Sequence, residues 1–290
     1  MKLTAYAKIN LTLETMGKRA DGYHEITSVL QTIGLSDTLS LESAEELHLH
    51  CNIPSLESDD NLVLEAARLL RRVTGCSNGA LLHLTKGTPI ASGLGSGSSN
   101  AVAALMGLNK LWELNLSQEE LLNLSLRLGS DTAFFFQGGT ALAQGRGDKI
   151  ASIPMISGSW LVLLIPTMAP IPNKTAQLYS RLDTSHFTSG QYANKFMEVL
   201  QHKGTVDNSL LFNVFEQVAF DFFQQLDWYR SRLLAAGAES VHLAGAGPTL
   251  FTLVSNKSCG ENLLSYLKKE KLNAYLVPTT KTSVVFNEDE

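Results

Sequence analysis

The chain has 290 residues and a formal net charge of −5, and 44% of its residues are hydrophobic while 18% are charged. This length is enough for about two domains of average size, and the composition is ordinary for a globular protein. The acidic balance argues against general nucleic-acid binding, which requires a basic face, but it allows an anionic small substrate where lysines and arginines converge.

The sequence carries no sign of membrane insertion or export. No apolar run reaches the roughly 18 residues of a transmembrane helix, and the first residues lead straight into patterned sequence without an apolar leader segment. Three cysteines, Cys51, Cys76 and Cys259, are odd in number and far apart. This usage argues against a disulfide framework, so we expect a cytoplasmic protein without membrane or nucleic-acid partners.

The first half alternates strand and helix patterns. Partial alternation over residues 3–15 predicts a strand, and a polar segment precedes a second strand in EITSVLQTIG. LSLES and LHLHCNI predict two short strands, and DDNLVLEAARLLRRVTG predicts a helix capped by Asp59 or Asp60 and stopped by Gly75. ALLHLTKG then predicts a strand that runs into PIASGLGSGSSNAVAAL (89–105), and a helix is predicted from Asn100 to Glu113. SQEELLNLSLRLG predicts the next helix, with a capping box of Ser117 and Glu120.

The second half begins with an apolar strand at 158–166. Helical segments dominate 190–236, and ESVHLAGAGPTLFTLV predicts a strand, a glycine turn and a strand. We call LAGAGPTLF (243–251) the second glycine turn. A helix in GENLLSYLKKEKL and one last strand in NAYLVPTTKTSVVF complete an α+β chain of two tightly joined domains, with a boundary near 150–158.

Residues 89–99, here called the glycine loop, have the layout of a phosphate site. The stretch is neither a P-loop, because it has no lysine, nor a dinucleotide fingerprint, because Ser98 replaces the third glycine. Three alternating glycines let the backbone approach a ligand closely, and the start of a helix adds partial positive charge. A flexible turn that ends in a serine N-cap is the alternative, but it needs fewer glycines.

Asp131 lies between the end of a helix and a run of aromatic residues. Beside apolar rings its carboxylate is a candidate general base, whereas an ordinary N-cap or turn aspartate would give the same pattern.

Other polar residues leave comparable alternatives open. Lys8 and Asn10 are predicted on one face of the first strand, where Lys8 is either a site residue or a solvated strand lysine. In GKRADGYHE (17–25), Tyr23 can stack on a flat ring and His24 can hydrogen-bond it, but a hairpin loop would carry both without a function. His48 and His50 lack a third ligand at a recognisable spacing, so we assign no zinc site.

Together these stretches resemble the GHMP small-molecule kinase superfamily. Residues 89–99 match its loop of the form Pro-x-x-x-Gly-Leu-Gly-x-x-x-Ser, and the second glycine turn matches its third motif. AYAKINLTL followed by GKRADGYHEI is similar to the branch that acts in non-mevalonate isoprenoid biosynthesis. The motif order agrees over nearly the whole chain.

The resemblance implies an N-terminal ATP-binding α/β domain at 1–155 and a ferredoxin-like substrate-side domain at 156–290, with the active site between them. It implies ATP as phosphoryl donor, Mg²⁺, and a small substrate that carries cytidine diphosphate and is phosphorylated on the 2-hydroxyl of its methylerythritol moiety. We expect a monomer or a weak homodimer. Another GHMP kinase and a non-catalytic nucleotide-binding relative remain the alternatives.

The resemblance also implies roles for individual residues. Asp131 would accept the hydroxyl proton, and Lys8 would favour the ionised carboxylate and offset charge at the transferring phosphoryl group. Tyr23 and His24 would hold the cytosine, Asn10 would contact the substrate, and Ser99 is a candidate ligand of magnesium. The implied ATP-binding residues are Asn61, Lys86, Pro89, Ile90, Ala91, Ser92, Gly93, Leu94, Gly95, Ser96, Gly97, Ser98 and Ser99.

Some positions depart from the superfamily pattern. Ala91, Ser92 and Ser96 stand where many members have glycine, and we expect residues this small to preserve the close backbone approach. IPNKTA (171–176) replaces the commoner VSTA near the second aromatic residue of the cytosine site, for which Tyr179 is the candidate.

Overall fold

The chain folds around two β-sheets. The computed structural model describes residues 1–156 and 158–287. Within these residues the strands are β1 (Lys2–Lys18), β2 (His24–Ala44), β3 (Leu47–Cys51), β4 (Gly79–Thr85), β5 (Thr140–Gly145), β6 (Lys149–Ser152), β7 (Trp160–Leu164), β8 (Phe212–Asn213), β9 (His242–Leu243), β10 (Leu250–Val254), β11 (Ala274–Pro278) and β12 (Val284–Asn287). The helices are α1 (Leu62–Thr74), α2 (Ser96–Leu111), α3 (Gln118–Ser125), α4 (Thr132–Gln137), α5 (Lys174–Ser180), α6 (Gln191–Lys203), α7 (Glu216–Phe222), α8 (Leu226–Ala235) and α9 (Lys257–Lys269).

The first sheet is centred on the long antiparallel pair β1 and β2, with the order β12-β1-β2-β4-β3. β5 and β6 extend it beside β2, and β8 runs parallel to β1. The ladder between β1 and β2 is irregular between Tyr6 and Ala7 and again between Asn10 and Thr12. Irregularities of this kind change the direction in which nearby side chains point, and Lys8 lies between the two.

Helix α1 shows how local sequence sets the ends of an element. The side chain of Asn61 accepts a hydrogen bond from the backbone N–H of Val63 at 2.9 Å, and Gly75 ends the helix at a φ of +73°. The predicted stop is therefore confirmed, but the predicted cap at Asp59 or Asp60 is wrong. Asn61 competes successfully because its carbonyl oxygen reaches the N2 position directly.

The second sheet has the order β11-β7-β10-β9, and its paired strands are all antiparallel. With α5–α8 after β7 and α9 between β10 and β11, this is the β-α-β-β-α-β arrangement of ferredoxin-like folds. The predicted final strand is in fact two strands in different sheets, because β11 pairs with β7 while β12 pairs with β1. The first sheet thus contains two strands from the second half, and the division at 155/156 stays a prediction.

One apolar core joins the two sheets. Ile9 and Leu11, which point away from Lys8, are buried together with residues of β7, β10 and α6. The apolar face of β1 therefore fixes the second sheet against the first and leaves the opposite face for the polar residues. Among the described residues, no helix combines the length and apolar character needed to cross a bilayer.

Asn213 connects the first sheet to the second glycine turn. Its buried amide nitrogen donates to the carbonyl oxygens of Leu243 and Gly245, both at 2.8 Å, and its oxygen accepts from the N–H of Phe215 at 3.0 Å. One side chain thus satisfies three backbone groups at the junction of the sheets.

We predict that Asn213→Ala lowers the free energy of unfolding by about 2 to 4 kcal/mol, because buried backbone groups lose their partners. Urea unfolding followed by circular dichroism measures the change. Asn194→Ala, on an exposed position of α6, is the matched control and should have little effect. A loss below about 0.5 kcal/mol for Asn213→Ala would contradict the structural role.

Candidate active site

The glycine loop is held between β1 and the second glycine turn. The backbone N–H of Lys8 donates to the carbonyl oxygen of Leu94 at 2.9 Å, and the N–H of Thr249 donates to that of Ser92 at 3.3 Å. A Cβ added to Gly93 would lie only 2.2 Å from the carbonyl oxygen of Ala244, and the φ of Gly93 is +86°. Only glycine fits this contact and this backbone conformation.

Helix α2 begins at this loop with a free N-terminus. Gly95 occupies the N-cap position, and no side chain in the described part of the chain caps the helix. Its first N–H groups therefore remain available for an anion, and the helix dipole favours negative charge there. The helix begins at Ser96, earlier than the sequence indicated.

Two adjoining cavities border the loop. The first, of about 280 Å³, is lined by Leu62 and residues 91–98, which include the three glycines. The second, of about 220 Å³, is lined by Asn61, Lys86 and Ile90 together with further leucines and loop residues. The first cavity offers backbone N–H groups and hydroxyls, which suit phosphate, and the second offers apolar walls, which suit a flat base.

Lys8 and Asp131 meet beneath the loop. The Nζ atom of Lys8 lies 3.2 Å from Oδ2 of Asp131, although the two residues are far apart in sequence. The Lys8 side chain is only 6% exposed, so it is not a solvated strand lysine, while the Asp131 side chain is 45% exposed. Asp131 occupies the N-cap position of α4 with helical backbone angles, and its side chain makes no capping hydrogen bond within the described residues but pairs with Lys8.

A chain of hydrogen bonds fixes Lys8 from the other side. Its Nζ donates to Oδ1 of Asn10 at 2.9 Å, and Nδ2 of Asn10 donates to Oγ of Ser28 at 2.8 Å. The Ser28 hydroxyl in turn donates to the carbonyl oxygen of Thr12 at 2.6 Å. Because each donor has a defined acceptor, the Asn10 oxygen is turned toward the ammonium.

Lys86 connects the loop to a buried carboxylate. Its Nζ contacts Asp37 and donates to Oγ of Ser96 at 3.0 Å. Asp37 also accepts from the N–H groups of Gly87 and Thr88, at 2.9 and 2.8 Å. The pKa of Lys86 is lowered by burial, and the charge of Asp37 opposes this shift. The hydrogen bond from Lys86 to Ser96 connects the ion pair to the first residue of α2.

We use the word cleft for the space along the glycine loop and Asp131, and a group of aromatic side chains forms what we call its aromatic end. The rings of His24 and Tyr179 stack with centroids 4.5 Å apart and an interplanar angle of 12°. The pKa of His24 is lowered by burial and then by the charge of Lys18, which favours the neutral ring. The pKa of the Tyr179 phenol is raised by burial and then by the charge of Asp131. Tyr23 is 53% exposed and lies under the guanidinium of Arg146, 4.9 Å from its ring centroid.

Two family models match this chain. The GHMP kinases N terminal domain matches residues 61–139, which contain the glycine loop and Asp131, and the GHMP kinases C terminal model matches residues 194–274. A 4-diphosphocytidyl-2-C-methyl-D-erythritol kinase of Dehalococcoides mccartyi is 41% identical over 96% of this chain and 98% of its own. The chain belongs to the GHMP kinase family. The resemblance predicted from the motifs is thereby confirmed.

Further relatives and structures agree with this assignment. The 4-diphosphocytidyl-2-C-methyl-D-erythritol kinase of Symbiobacterium thermophilum is 37% identical, over 96% of this chain and 99% of its own. A crystal structure of 4-(cytidine 5'-diphospho)-2C-methyl-D-erythritol kinase superposes with a TM-score of 0.81 at 28% identity, covering 96% of this chain and 99% of that one. The α+β class and the two-domain architecture of this GHMP kinase are confirmed.

The structure places the predicted site residues unevenly in this GHMP kinase. Lys8, Asn10 and Asp131 are in one cluster, and most of the predicted ATP-binding residues line the two cavities. Pro89 and Ser99 line neither cavity, and the buried Ser99 hydroxyl has no hydrogen-bond partner among residues 1–156 and 158–287. Among the described residues, no three His, Cys, Asp or Glu side chains form a metal-binding cluster.

Three residues near the site were missed by the sequence reasoning. Asp37 sits in a strand without any local signal, and Arg146 follows a glycine in a hairpin. Lys174 lies in the segment that departs from the superfamily pattern, which is the only signal it gave. Its Nζ donates to the carbonyl oxygen of Ala91 at 2.7 Å and contacts that of Gly247.

Lys174 makes the stability of this GHMP kinase depend on pH. Its pKa is lowered from 10.5 to about 8 by burial and then by the charge of Lys8. Between these two values the unfolded state binds more protons than the folded state, so the free energy of unfolding rises with pH.

We predict that raising the pH from about 7.5 to about 9.5 stabilises the wild-type protein relative to Lys174→Met by on the order of 1 kcal/mol, allowing for partial solvent screening. Urea unfolding at each pH measures the difference. Lys195→Met, which removes an exposed lysine of α6, is the control. A difference between wild type and Lys174→Met that stays constant with pH would be the contrary result.

Proposed function

We propose that this chain transfers the γ-phosphoryl group of ATP to the 2-hydroxyl of 4-diphosphocytidyl-2-C-methyl-D-erythritol. The observation that carries this proposal is the Lys8–Asp131 pair beneath the glycine loop. A phosphate cradle, a carboxylate and a cation within one cleft are the groups that phosphoryl transfer to an alcohol requires. We take the substrate from the names of relatives that match this chain over nearly its whole length.

The glycine loop would hold the triphosphate of ATP. The free N-terminus of α2 and the first cavity fit phosphate oxygens, because the glycines there lack the side chains that would fill the space. Asn61, Lys86 and Ile90 would surround the adenine in the second cavity. Lys86 would also keep Ser96 in position at the start of the helix.

Asp131 would act as the general base. Its exposed carboxylate oxygen can accept the proton of the substrate hydroxyl, which makes that oxygen a better nucleophile for phosphorus. Lys8, which contacts Asp131, would offset the negative charge that develops on the transferring phosphoryl group. Asn10 and Ser28 would fix the position of the Lys8 ammonium during this step.

The aromatic end of the cleft would bind the cytosine. Tyr179 and Tyr23 are flat faces for stacking, and the neutral imidazole of His24 can both donate to and accept from the polar edge of a base. Cytosine would take the place of the direct stacking contact between His24 and Tyr179. The charge of Asp131 contributes to the raised pKa of Tyr179, so the proposed cytosine site and the proposed catalytic carboxylate are near each other.

Magnesium would enter with the phosphates of ATP. The described residues supply no cluster of carboxylates for it, and the Ser99 hydroxyl lies outside the lining of both cavities. The Ser99 hydroxyl is buried and has no hydrogen-bond partner within the described part of the chain, so its expected role as a ligand of magnesium stays a prediction.

A steady-state assay of ADP release with ATP and 4-diphosphocytidyl-2-C-methyl-D-erythritol tests the proposal. We predict turnover by the wild type and a kcat lower by about 10²- to 10⁴-fold for Asp131→Asn, because the base is lost while the shape is kept. Asp227→Asn, on the exposed side of α8, is the control variant.

Thermal unfolding of each variant separates loss of catalysis from loss of structure. Near-full activity of a folded Asp131→Asn protein would show that Asp131 is not the general base. Homoserine and mevalonate belong in the same assay, since faster turnover of either alcohol than of the cytidine substrate would overturn the proposed specificity.

A further inference from the structure

Three lysines from three separate elements contact the glycine loop. Lys8 of β1 lies so close to Gly95 that a Cβ there would be 2.8 Å from the lysine Cε. Lys86, after β4, donates to the hydroxyl of Ser96. Lys174, the first residue of α5, donates to the carbonyl oxygen of Ala91. The acidic chain thus concentrates positive charge at one loop.

The charge of Lys174 differs from the other two in its surroundings. Lys8 is paired with Asp131 and Lys86 with Asp37. Within residues 1–156 and 158–287, no carboxylate oxygen lies within 4.0 Å of the Lys174 ammonium, which contacts backbone carbonyl oxygens of Ala91 and Gly247 instead. A partly buried cation without a counter-charge is unfavourable, and the nearby charge of Lys8 increases the cost.

The position of Lys174 indicates what supplies the missing negative charge. An ammonium group has three N–H donors, and two of them are used by the carbonyl oxygens. Lys174 lines neither cavity itself, but its acceptor Ala91 lines both, so the ammonium lies directly beside the loop that borders the space available to phosphate. Helix α5 also carries Tyr179, which stacks on His24 at the aromatic end of the cleft.

We propose that Lys174 is a phosphate-binding residue that supplies a third positive charge to the active site. Its ammonium hydrogen-bonds a phosphate oxygen of the bound ligands and holds α5 against the glycine loop and the second glycine turn. The inference rests on the proposed function for the identity of the ligands. The phosphate belongs either to the triphosphate of ATP or to the diphosphate of the cytidine substrate, and the two are distinguished by experiment.

A purely structural role would give different behaviour. If Lys174 only tied Ala91 to Gly247, its loss would displace Ala91, which lines the cavity assigned to adenine as well as the one assigned to phosphate, and would weaken nucleosides and nucleotides alike. A phosphate-binding lysine affects ligands according to their phosphates, since a charge-assisted hydrogen bond to phosphate disappears with the charge. Comparing each nucleotide ligand with its nucleoside therefore separates the two roles.

The test measures binding of four probes to the full-length protein by calorimetry. ATP is compared with adenosine, and 4-diphosphocytidyl-2-C-methyl-D-erythritol with cytidine. The variants are Lys174→Met, which keeps length and loses charge, Lys174→Arg, which keeps charge, and Lys195→Met as the surface control. Thermal unfolding establishes that each variant is folded, and Lys174→Gln replaces Lys174→Met if that protein is not.

We expect Lys174→Met to weaken at least one phosphate-bearing ligand by roughly 10- to 100-fold, with both nucleosides changed less than about twofold. Loss for ATP alone assigns the triphosphate, loss for the cytidine ligand alone assigns the diphosphate, and loss for both assigns contact with each. Lys174→Arg should retain most of the affinity. Unchanged phosphate ligands, or an equal loss for nucleosides and nucleotides, would overturn the inference.

The proposed function fails by a different result. Wild-type protein that binds ATP in a Lys174-dependent way but does not phosphorylate the cytidine substrate would remove the function and leave the phosphate contact. Turnover by the wild type together with unchanged ligand binding in Lys174→Met would support the proposed function and remove the phosphate contact of Lys174.

Discussion

The site depends on how closely the backbone of the glycine loop approaches the second glycine turn. The space beside Gly93 is too small for a Cβ, because the carbonyl oxygen of Ala244 would lie 2.2 Å from it. This contact fixes the loop between two sheets that are formed by distant parts of the chain. Lys8 on one side and Lys174 on the other can then contact the same loop. A larger residue at Gly93 would separate the loop from the turn and change the position of all these groups.

In the proposed site, the phosphate-binding groups that a P-loop carries in one segment come from several parts of the chain. The loop contributes backbone N–H groups and the end of α2, whereas the positive charge comes from lysines on other elements. Each paired lysine has a carboxylate that also makes a second contribution. Asp131 is exposed and can exchange a proton with a ligand, but Asp37 is buried and holds the segment before the loop. We therefore propose different roles for these two similar ion pairs, because the exposure of their carboxylates differs.

Local sequence predicted the elements whose signals are local. The predicted capping box of Ser117 and Glu120 is present at the start of α3. Phosphate binding, which the glycines and serines of the loop indicated, stays a prediction. The cap of α1 was placed at Asp59 or Asp60 instead of Asn61, since neighbouring residues with similar propensities cannot be ranked by pattern alone. The last strand was read as continuous because nothing local shows that β11 and β12 join different sheets.

Contacts between distant residues needed more than local pattern. Lys8 and Asp131 each had an ordinary alternative, and only the resemblance to GHMP kinases joined them as a pair. Asp37 gave no signal because its partners, Lys86 and Thr88, are distant in sequence and lie just after β4. Lys174 contacts carbonyl oxygens of residues that are distant in sequence, and a backbone acceptor leaves no trace in side-chain composition.

The most direct measurement is a crystal structure of the wild-type protein with a non-hydrolysable ATP analogue and 4-diphosphocytidyl-2-C-methyl-D-erythritol. We predict that the 2-hydroxyl oxygen lies within hydrogen-bond distance of the Asp131 carboxylate, at roughly 2.6 to 3.2 Å, with the phosphates at the N-terminus of α2. The cytosine should lie against Tyr179 and His24. A substrate hydroxyl directed away from Asp131, or phosphates bound outside the glycine loop, would contradict this mechanism.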